Sequence, residues 1–195
     1  MKNLPLLIFF SVLTHVMHAQ VLNQAANWPN ASWSVGGTYT ATALLSDPTI
    51  TANFSFDDDA AGSGSADTVT VNSPIIDLTA ASNAGETLLN ATFDYDYNLG
   101  DAFQLEYYDV DAASWVLWEI LPDNSNLTSA WCAGIAAPAV VSGDLDISGF
   151  SATQLSGFRY RFYYESTATW GWGICVSSPT IASVAPPNCL IPTSF

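Results

Sequence analysis

The chain has 195 residues, of which 49% are hydrophobic, 13% aromatic and 11% charged. That length suits one domain of ordinary size with some residues to spare for export signals or linkers, and this much apolar surface offsets chain entropy well enough to exclude a disordered polymer. Eighteen Asp and Glu against three Lys and Arg leave a formal charge of -15, which excludes nucleic-acid binding by counterion release and disfavours anionic membrane surfaces.

The N-terminus reads as an export signal. Lys2 precedes an apolar run over residues 4–13 (LPLLIFFSVL), and the segment THVMHA ends at Ala19, the layout of a secretory signal peptide cut after Ala19. The run is shorter than the roughly twenty apolar residues a membrane helix needs, and no later segment is long and apolar enough to span. The expected product is secreted or displayed at the cell surface. Removing residues 1–19 takes away Lys2, His15 and His18, so the mature chain keeps only Arg159 and Arg161 as cations and has no Lys or His. Ser-His-Asp and Cys-His nucleophilic sites, His-ligated zinc, Schiff-base lysines and P-loop lysines are thereby excluded. Carboxylate chemistry is what remains for an enzyme.

Taken in chain order, the elements are strands. Short candidates lie at residues 38–44, 49–56, 68–71 and 75–78. The segment 57–67 (DDDAAGSGSAD) is expected as an acidic, Gly- and Ser-rich loop between them. Over residues 88–97, Leu89, Ala91, Phe93, Tyr95 and Tyr97 alternate with polar residues, the period of a half-buried strand. Phe103, Leu105 and Tyr107 continue the pattern after the turn at residues 98–101, giving a hairpin, and residues 114–121 add a third strand. Further candidates are 144–147, 173–176 and 180–184, and the cleanest alternation sets Phe158, Tyr160, Phe162 and Tyr164 against Arg159, Arg161, Tyr163 and Glu165. No window of eleven or more residues carries a helical stripe. The expected fold is all-β, a two-sheet antiparallel sandwich of jelly-roll topology, spanning residues 20–184, with 185–195 as a linker and tail.

Three Cys remain, at positions 132, 175 and 189, and export permits a disulfide. Cys132 with Cys175 is favoured because both fall in the body of the sandwich while Cys189 lies beyond the linker; the other pairings stay open.

The segments SADTVTVNSPIIDLT (residues 65–79), LLNATFDYDY (88–97), Trp115 after a short turn, and GFRYRFYYESTATWGWGICV (157–176) together resemble the MAM-like jelly-roll modules called choice-of-anchor J domains, over roughly residues 28–184. The resemblance implies a sandwich used for adhesion, ligand binding or spacing on secreted and surface proteins of bacteria, and does not imply catalysis. Where that family places two acidic residues after its closing motif, this chain has Cys175 and Val176. The tail PPNCLIPTSF (186–195) resembles the first strand of a fibronectin type III domain, which implies further modules of a longer chain.

Candidate sites follow from residue type and spacing. Asp57, Asp58, Asp59 and Asp67 offer hard oxygen ligands of the kind Ca²⁺ takes, with Asp77 as a weaker addition; the alternative is a solvated acidic loop held open by its own repulsion. Asp94 and Asp96 lie two apart on one strand face, about 6.6 Å by strand rise, and Arg159 and Arg161 share that spacing. The favoured reading is a cross-strand ladder of ion pairs; the alternative is glycan hydrolysis by Asp94, Asp96 and Glu106. Of seven Trp, Trp28, Trp33 and Trp131 fall in less regular stretches and are the candidates to stack on a sugar, while Trp115, Trp118, Trp170 and Trp172 are assigned to packing. Asn30, Asn53, Asn90 and Asn126 open glycosylation triplets that are chance in a bacterial protein. The reading that results is a non-catalytic secreted or surface module binding extracellular carbohydrate or protein, with loops braced by Ca²⁺; a glycan hydrolase and an architectural spacer are the alternatives.

Overall fold

The computed structural model describes residues 27–124, 139–167 and 171–184. The expected leader at 1–19 and the tail at 185–195 lie outside the described residues. Eleven strands follow in order: β1 (Ser34–Thr38), β2 (Leu44–Ser46), β3 (Asn53–Asp57), β4 (Ala66–Asn72), β5 (Leu88–Asn98), β6 (Ala102–Asp109), β7 (Ser114–Ile120), β8 (Val140–Val141), β9 (Leu145–Asp146), β10 (Tyr160–Thr167) and β11 (Gly173–Val184). Three short helices interrupt them, α1 (Asp58–Ala61), α2 (Thr79–Asn83) and α3 (Ala152–Ser156). Each helix has only four or five residues, too few to carry an apolar stripe.

The strands form two antiparallel sheets, β1-β4-β10-β6-β7 and β2-β3-β11-β5-β8, with β9 also on β5. Setting aside the outer strands β1 and β2, the orders β3-β11-β5-β8 and β4-β10-β6-β7 place each strand beside the partner that a jelly roll of two Greek keys requires. The all-β, two-sheet expectation therefore holds. Alternation decides which face turns inward: Phe54, Phe56, Phe93 and Ile174 from one sheet meet Val69, Phe103, Phe162 and Tyr164 from the other, all buried. Rings close the gap between sheets, with Phe93 on Phe162 at 4.9 Å, Phe56 near Tyr164 at 5.8 Å and Tyr95 near Phe103 at 5.6 Å between centroids. Such pairs contribute about 0.5–1.5 kcal/mol each beyond the burial of their area.

Local chemistry moved several boundaries. Residues 38–44 are not one strand: β1 ends at Thr38 and a 3-10 turn occupies Ala41–Ala43. Residues 75–78 contribute only an isolated bridge from Ile76 to Phe158. The two candidates at 173–176 and 180–184 are one strand, β11, with a bulge between Ser177 and Thr180. The acidic segment is not all loop, because the Asp57 carboxylate accepts from the Ala60 N–H at 3.1 Å and caps α1, while Asp67 lies within β4. Gly173 opens β11 at φ 109°, where a Cβ would strike the Phe56 carbonyl of the neighbouring strand, so only glycine allows β3 and β11 to approach there.

Candidate binding face and acidic corner

On the outer face of the β1-β4-β10-β6-β7 sheet, register stacks residues into rungs. One runs Ser34, Asn72, Arg161, Glu106, Leu117; the next runs Gly36, Thr70, Tyr163, Gln104, Ile120. Phe158 and Tyr160 point into the core, so alternation turns Arg159 outward beside Arg161. A recess of about 280 Å³ opens here, lined by Ser34, Thr70, Asn72, Ser73, Trp115, Arg159 and Arg161.

Aromatic rings hold both guanidinium groups. Arg159 Cζ lies 3.9 Å from the Tyr108 ring centroid and 5.8 Å from that of Trp115; Arg161 Cζ lies 4.3 Å from Trp115 and 5.2 Å from Tyr163. Tyr108 and Trp115 are themselves an edge-to-face pair at 5.2 Å. Arg161 Nε donates to Glu106 Oε2 in an ion pair. Arg159 has no carboxylate partner among the described residues, and its Nε is buried without a hydrogen bond. Along the opposite wall, the Asn72 amide donates at 3.3–3.4 Å to the Ser34 carbonyl and hydroxyl and to the Thr70 hydroxyl. Those bonds are long, so a ligand hydroxyl can replace them at low cost.

Aspartates account for a second feature. Four have local structural employment: Asp47, Asp77, Asp109 and Asp146 accept from main-chain N–H groups two or three residues on, the bond that makes Asp a turn residue. Hydrogen bonding holds the Asp77, Asp101, Asp109 and Asp146 carboxyls below the usual carboxylate range. Asp58 and Asp67 differ, being 4% and 2% exposed. Asp58 Oδ2 accepts from the Ser166 hydroxyl at 3.1 Å and Asp67 Oδ1 from the Thr40 N–H at 2.5 Å. Each carboxylate leaves one buried oxygen, Asp58 Oδ1 and Asp67 Oδ2, with no hydrogen bond. Burial pushes the Asp58 carboxyl up from 3.8, and the nearby Asp67 charge adds to the rise. A side chain at Gly171 would meet Asp58 Oδ2, the Leu99 carbonyl and the Tyr164 hydroxyl at once, so these oxygens converge on one corner.

Several sequence expectations are corrected. Trp33 is not free for a ligand: it is 2% exposed, its ring edge-on to Tyr160 at 5.5 Å. Trp28 packs edge-on against Trp33 at 5.1 Å and is half-buried against the core. Both belong to the packing that closes the sandwich at its β1 side. Trp131 and Cys132 lie outside the described residues. The four aspartates proposed for calcium do not converge, since Asp57 caps α1 and Asp59 is exposed; among the described residues no group of three or more His, Cys, Asp or Glu is placed to hold a metal. The ladder of Asp94 and Asp96 with Arg159 and Arg161 does not form, because β5 and β10 belong to different sheets. For the same reason Asp94 and Asp96 do not share a site with Glu106, and the hydrolase reading loses its third carboxylate. Asp96 is held up in pKa by burial and then by Asp123. On that sheet Cys175, in register with Ser55 and Asp96, is buried and engaged in a disulfide; Cys132 and Cys189, the other two cysteines, lie outside the described residues.

The recess was overlooked from sequence, although the signal was present. The two cations found after residue 19 sit at i and i+2 on one strand face, and a Trp follows the turn into the edge strand. What pattern alone did not supply was the neighbour of β10, which is β6 with its Glu106 and not β5.

Fold and face together define a jelly-roll β-sandwich module with an aromatic-lined polar recess on one sheet. No family model matches the chain, and no curated protein does. Among solved structures it is similar to TmCBM61 in complex with β-1,4-galactotriose, with TM-score 0.48 and 7% identity over 85% of this chain and 99% of that one. It is similar also to the enzymatically active domain of bacteriophage CBA120 tailspike protein 4, with TM-score 0.43 and 11% identity over 84% of this chain and 22% of that one. A third is the K2 cleaved adhesin domain of Lys-gingipain, with TM-score 0.40 and 12% identity over 86% and 99%. Likeness at this level carries neither ligand nor activity across to this chain. Among the described residues no helix is long and apolar enough to cross a membrane.

Proposed function

We propose that this chain is a non-catalytic binding module, exported to the cell surface or beyond, that holds a carbohydrate against the outer face of the β1-β4-β10-β6-β7 sheet. One observation carries the reading: Trp115, Arg159 and Arg161 meet Ser34, Thr70, Asn72 and Ser73 in a single recess, with Arg159 resting on the Tyr108 ring. Ring faces supply apolar contact and the wall supplies fixed hydrogen-bonding groups, the combination that orients a polar ligand. At about 280 Å³ the recess is just below the ~300–1,000 Å³ of sites for drug-sized ligands, a scale suited to a sugar ring more than to a protein surface. Glu106, which lies beside Arg161 on the adjoining strand, is bound to that guanidinium and so is poorly disposed to act as a general acid or base.

The resemblance to MAM-like, choice-of-anchor J domains accords with this reading, as do the export signal at residues 1–19 and a fibronectin type III start at 186–195, which would make the chain part of a longer modular protein. A Cys132–Cys175 disulfide is the pairing we favour. Calcium belongs to the proposal as a structural brace. Asp58 and Asp67 would hold it through their unpartnered oxygens, completed by main-chain oxygens and water, because each buried carboxylate keeps one oxygen without a hydrogen bond and has no ion-pair partner among the described residues. The ion would supply charge neutralisation and rigidity to the corner, and no chemistry.

Affinity electrophoresis of the mature chain against a panel of soluble polysaccharides, paired with a reducing-sugar assay, tests the reading. Retardation by at least one polysaccharide, lost in Trp115→Ala and without release of reducing ends, is the expected result. Release of reducing ends, or no retardation by any polysaccharide, would overturn it.

A further inference from the structure

The geometry points to an acidic sugar as the ligand: we infer that the recess takes a carboxylate-bearing, uronate-type unit, with Arg159 reading the carboxylate and Trp115 supporting the ring. This rests on the reading of the sheet face as a carbohydrate site and goes beyond it in naming the ligand's charge.

Charge placement is the first argument. Arg159 and Arg161 are the only cations of the chain after residue 19, and both line the same recess, in a chain with eighteen carboxylates. Had these cations served only to balance that excess, each should face an acid. Arg161 does, through Glu106 on the adjoining strand. Arg159 faces none among the described residues: it rests on the Tyr108 ring at 3.9 Å with its Nε buried and unpartnered. A guanidinium carries five N–H donors in a fixed fork, and a ring face satisfies none of their hydrogen-bonding directions. Desolvating such a donor is unfavourable until an acceptor arrives. A planar carboxylate is the acceptor whose geometry matches the fork in two parallel bonds.

The surroundings narrow the class further. Hydroxyl and amide groups of Ser34, Thr70 and Asn72 line the same recess as the guanidinium groups and give the hydroxyls of a sugar, and not of a simple aliphatic acid, their partners, whereas the Ser73 hydroxyl is already engaged by the Pro74 carbonyl and the Tyr160 N–H. A neutral hexose would use Ser34, Thr70, Asn72 and Trp115 while leaving Arg159 unanswered. A protonated amino sugar would meet two guanidinium groups of its own sign. The order of affinity is therefore uronate, then neutral sugar, then amino sugar. Because the whole chain is acidic, a long polyanion is repelled at a distance and short acidic oligosaccharides are preferred, a difference that shrinks at ~0.15 M salt, where the screening length is about 8 Å.

Isothermal titration at that salt with defined oligosaccharides tests this. Probes are oligogalacturonate, oligoglucuronate and alginate fragments, their carboxyl-reduced counterparts, a sulfated oligosaccharide and a chitosan oligomer, each against the mature chain and against Arg159→Gln, Arg159→Lys and Trp115→Ala. The inference predicts that at least one uronate binds ten-fold or more tighter than its carboxyl-reduced form. Arg159→Gln brings that ratio close to one by weakening the uronate far more than its carboxyl-reduced form, Arg159→Lys keeps part of the ratio, and Trp115→Ala weakens both forms. Melting curves superimposable on the parent's establish that the variants are folded. Equal affinity for acid and reduced forms, or a preference for the sulfated or amino sugar, overturns the inference and leaves the carbohydrate reading standing. No binding of any oligosaccharide overturns both. A preserved ratio in both Arg159 variants moves the recognition away from this residue and overturns the assignment.

Discussion

If Ca²⁺ braces the acidic corner as proposed, chelation of divalent ions should destabilise this protein through Asp58 and Asp67. Asp58 and Asp67 bury one unpartnered carboxylate oxygen each, close enough for the Asp67 charge to be felt at Asp58. An ion bound only by the folded state, at a hundred times its Kd, adds about 2.7 kcal/mol. For a domain of this size each kcal/mol moves Tm by about 2–4 °C, so saturating Ca²⁺ should raise Tm by about 5–11 °C over the same protein in chelator. Asp58→Asn is nearly isosteric and removes the buried charge. In chelator the variant should match or exceed the parent, and it should lose the Ca²⁺-dependent gain; Asp67→Asn should behave alike. Acidity adds a signature of the opposite sign to most carboxylates. The folded-state pKa of Asp58 is raised, so its contribution is full below its ordinary value of 3.8 and is lost as pH rises through the raised value. Ion-free protein should therefore gain stability on mild acidification, while Ca²⁺-loaded protein should lose it as protons compete. Scanning calorimetry across pH, with and without chelator, reads all of this. An unchanged Tm on adding Ca²⁺, or a gain retained in Asp58→Asn, would refute the reasoning.

Other consequences concern packing and turns. Phe162→Ala removes the ring that meets Phe93 at 4.9 Å across the sheets and should cost about 3–5 kcal/mol in urea unfolding; a loss under 1 kcal/mol would mean that the two sheets do not meet there. Ser151 caps α3, its hydroxyl accepting from the Gln154 N–H while its own N–H donates to Gln154 Oε1, so Ser151→Ala should cost about 1 kcal/mol by the same measurement. Asp101 has its carboxyl lowered by bonds from Thr167. Its contribution is present above 3.8 and is lost as pH falls through the lowered value, so acid unfolding in that window should shift to higher pH in Asp101→Asn.

Sequence reading succeeded where one physical signal dominated. Leu89 to Tyr97 and Phe158 to Tyr164 alternate so regularly that each strand's inward face was legible, and the absence of a helical stripe left room only for helices of one turn. It failed where long-range pairing decided the outcome. Arg161 meets Glu106 because β10 lies between β4 and β6, a neighbour relation that no local spacing encodes. Trp33 looked free because its flanks are irregular, yet irregular backbone also covers core edges, and here it seats the indole on Tyr160. The run of three aspartates looked like one ligand set, but a turn of helix sends consecutive side chains in different directions, so Asp57 caps, Asp58 is buried and Asp59 faces outward.

The most direct test of the binding face is to map it. Titrating ¹⁵N-labelled mature protein with a bound oligosaccharide and following indole and guanidinium Nε–H signals should shift Trp115, Arg159 and Arg161 together with the amides of Thr70 and Asn72, leaving Trp33 unmoved. Shifts confined to the opposite sheet around Asp94 and Asp96, with Trp115 and Arg159 silent, would contradict the account.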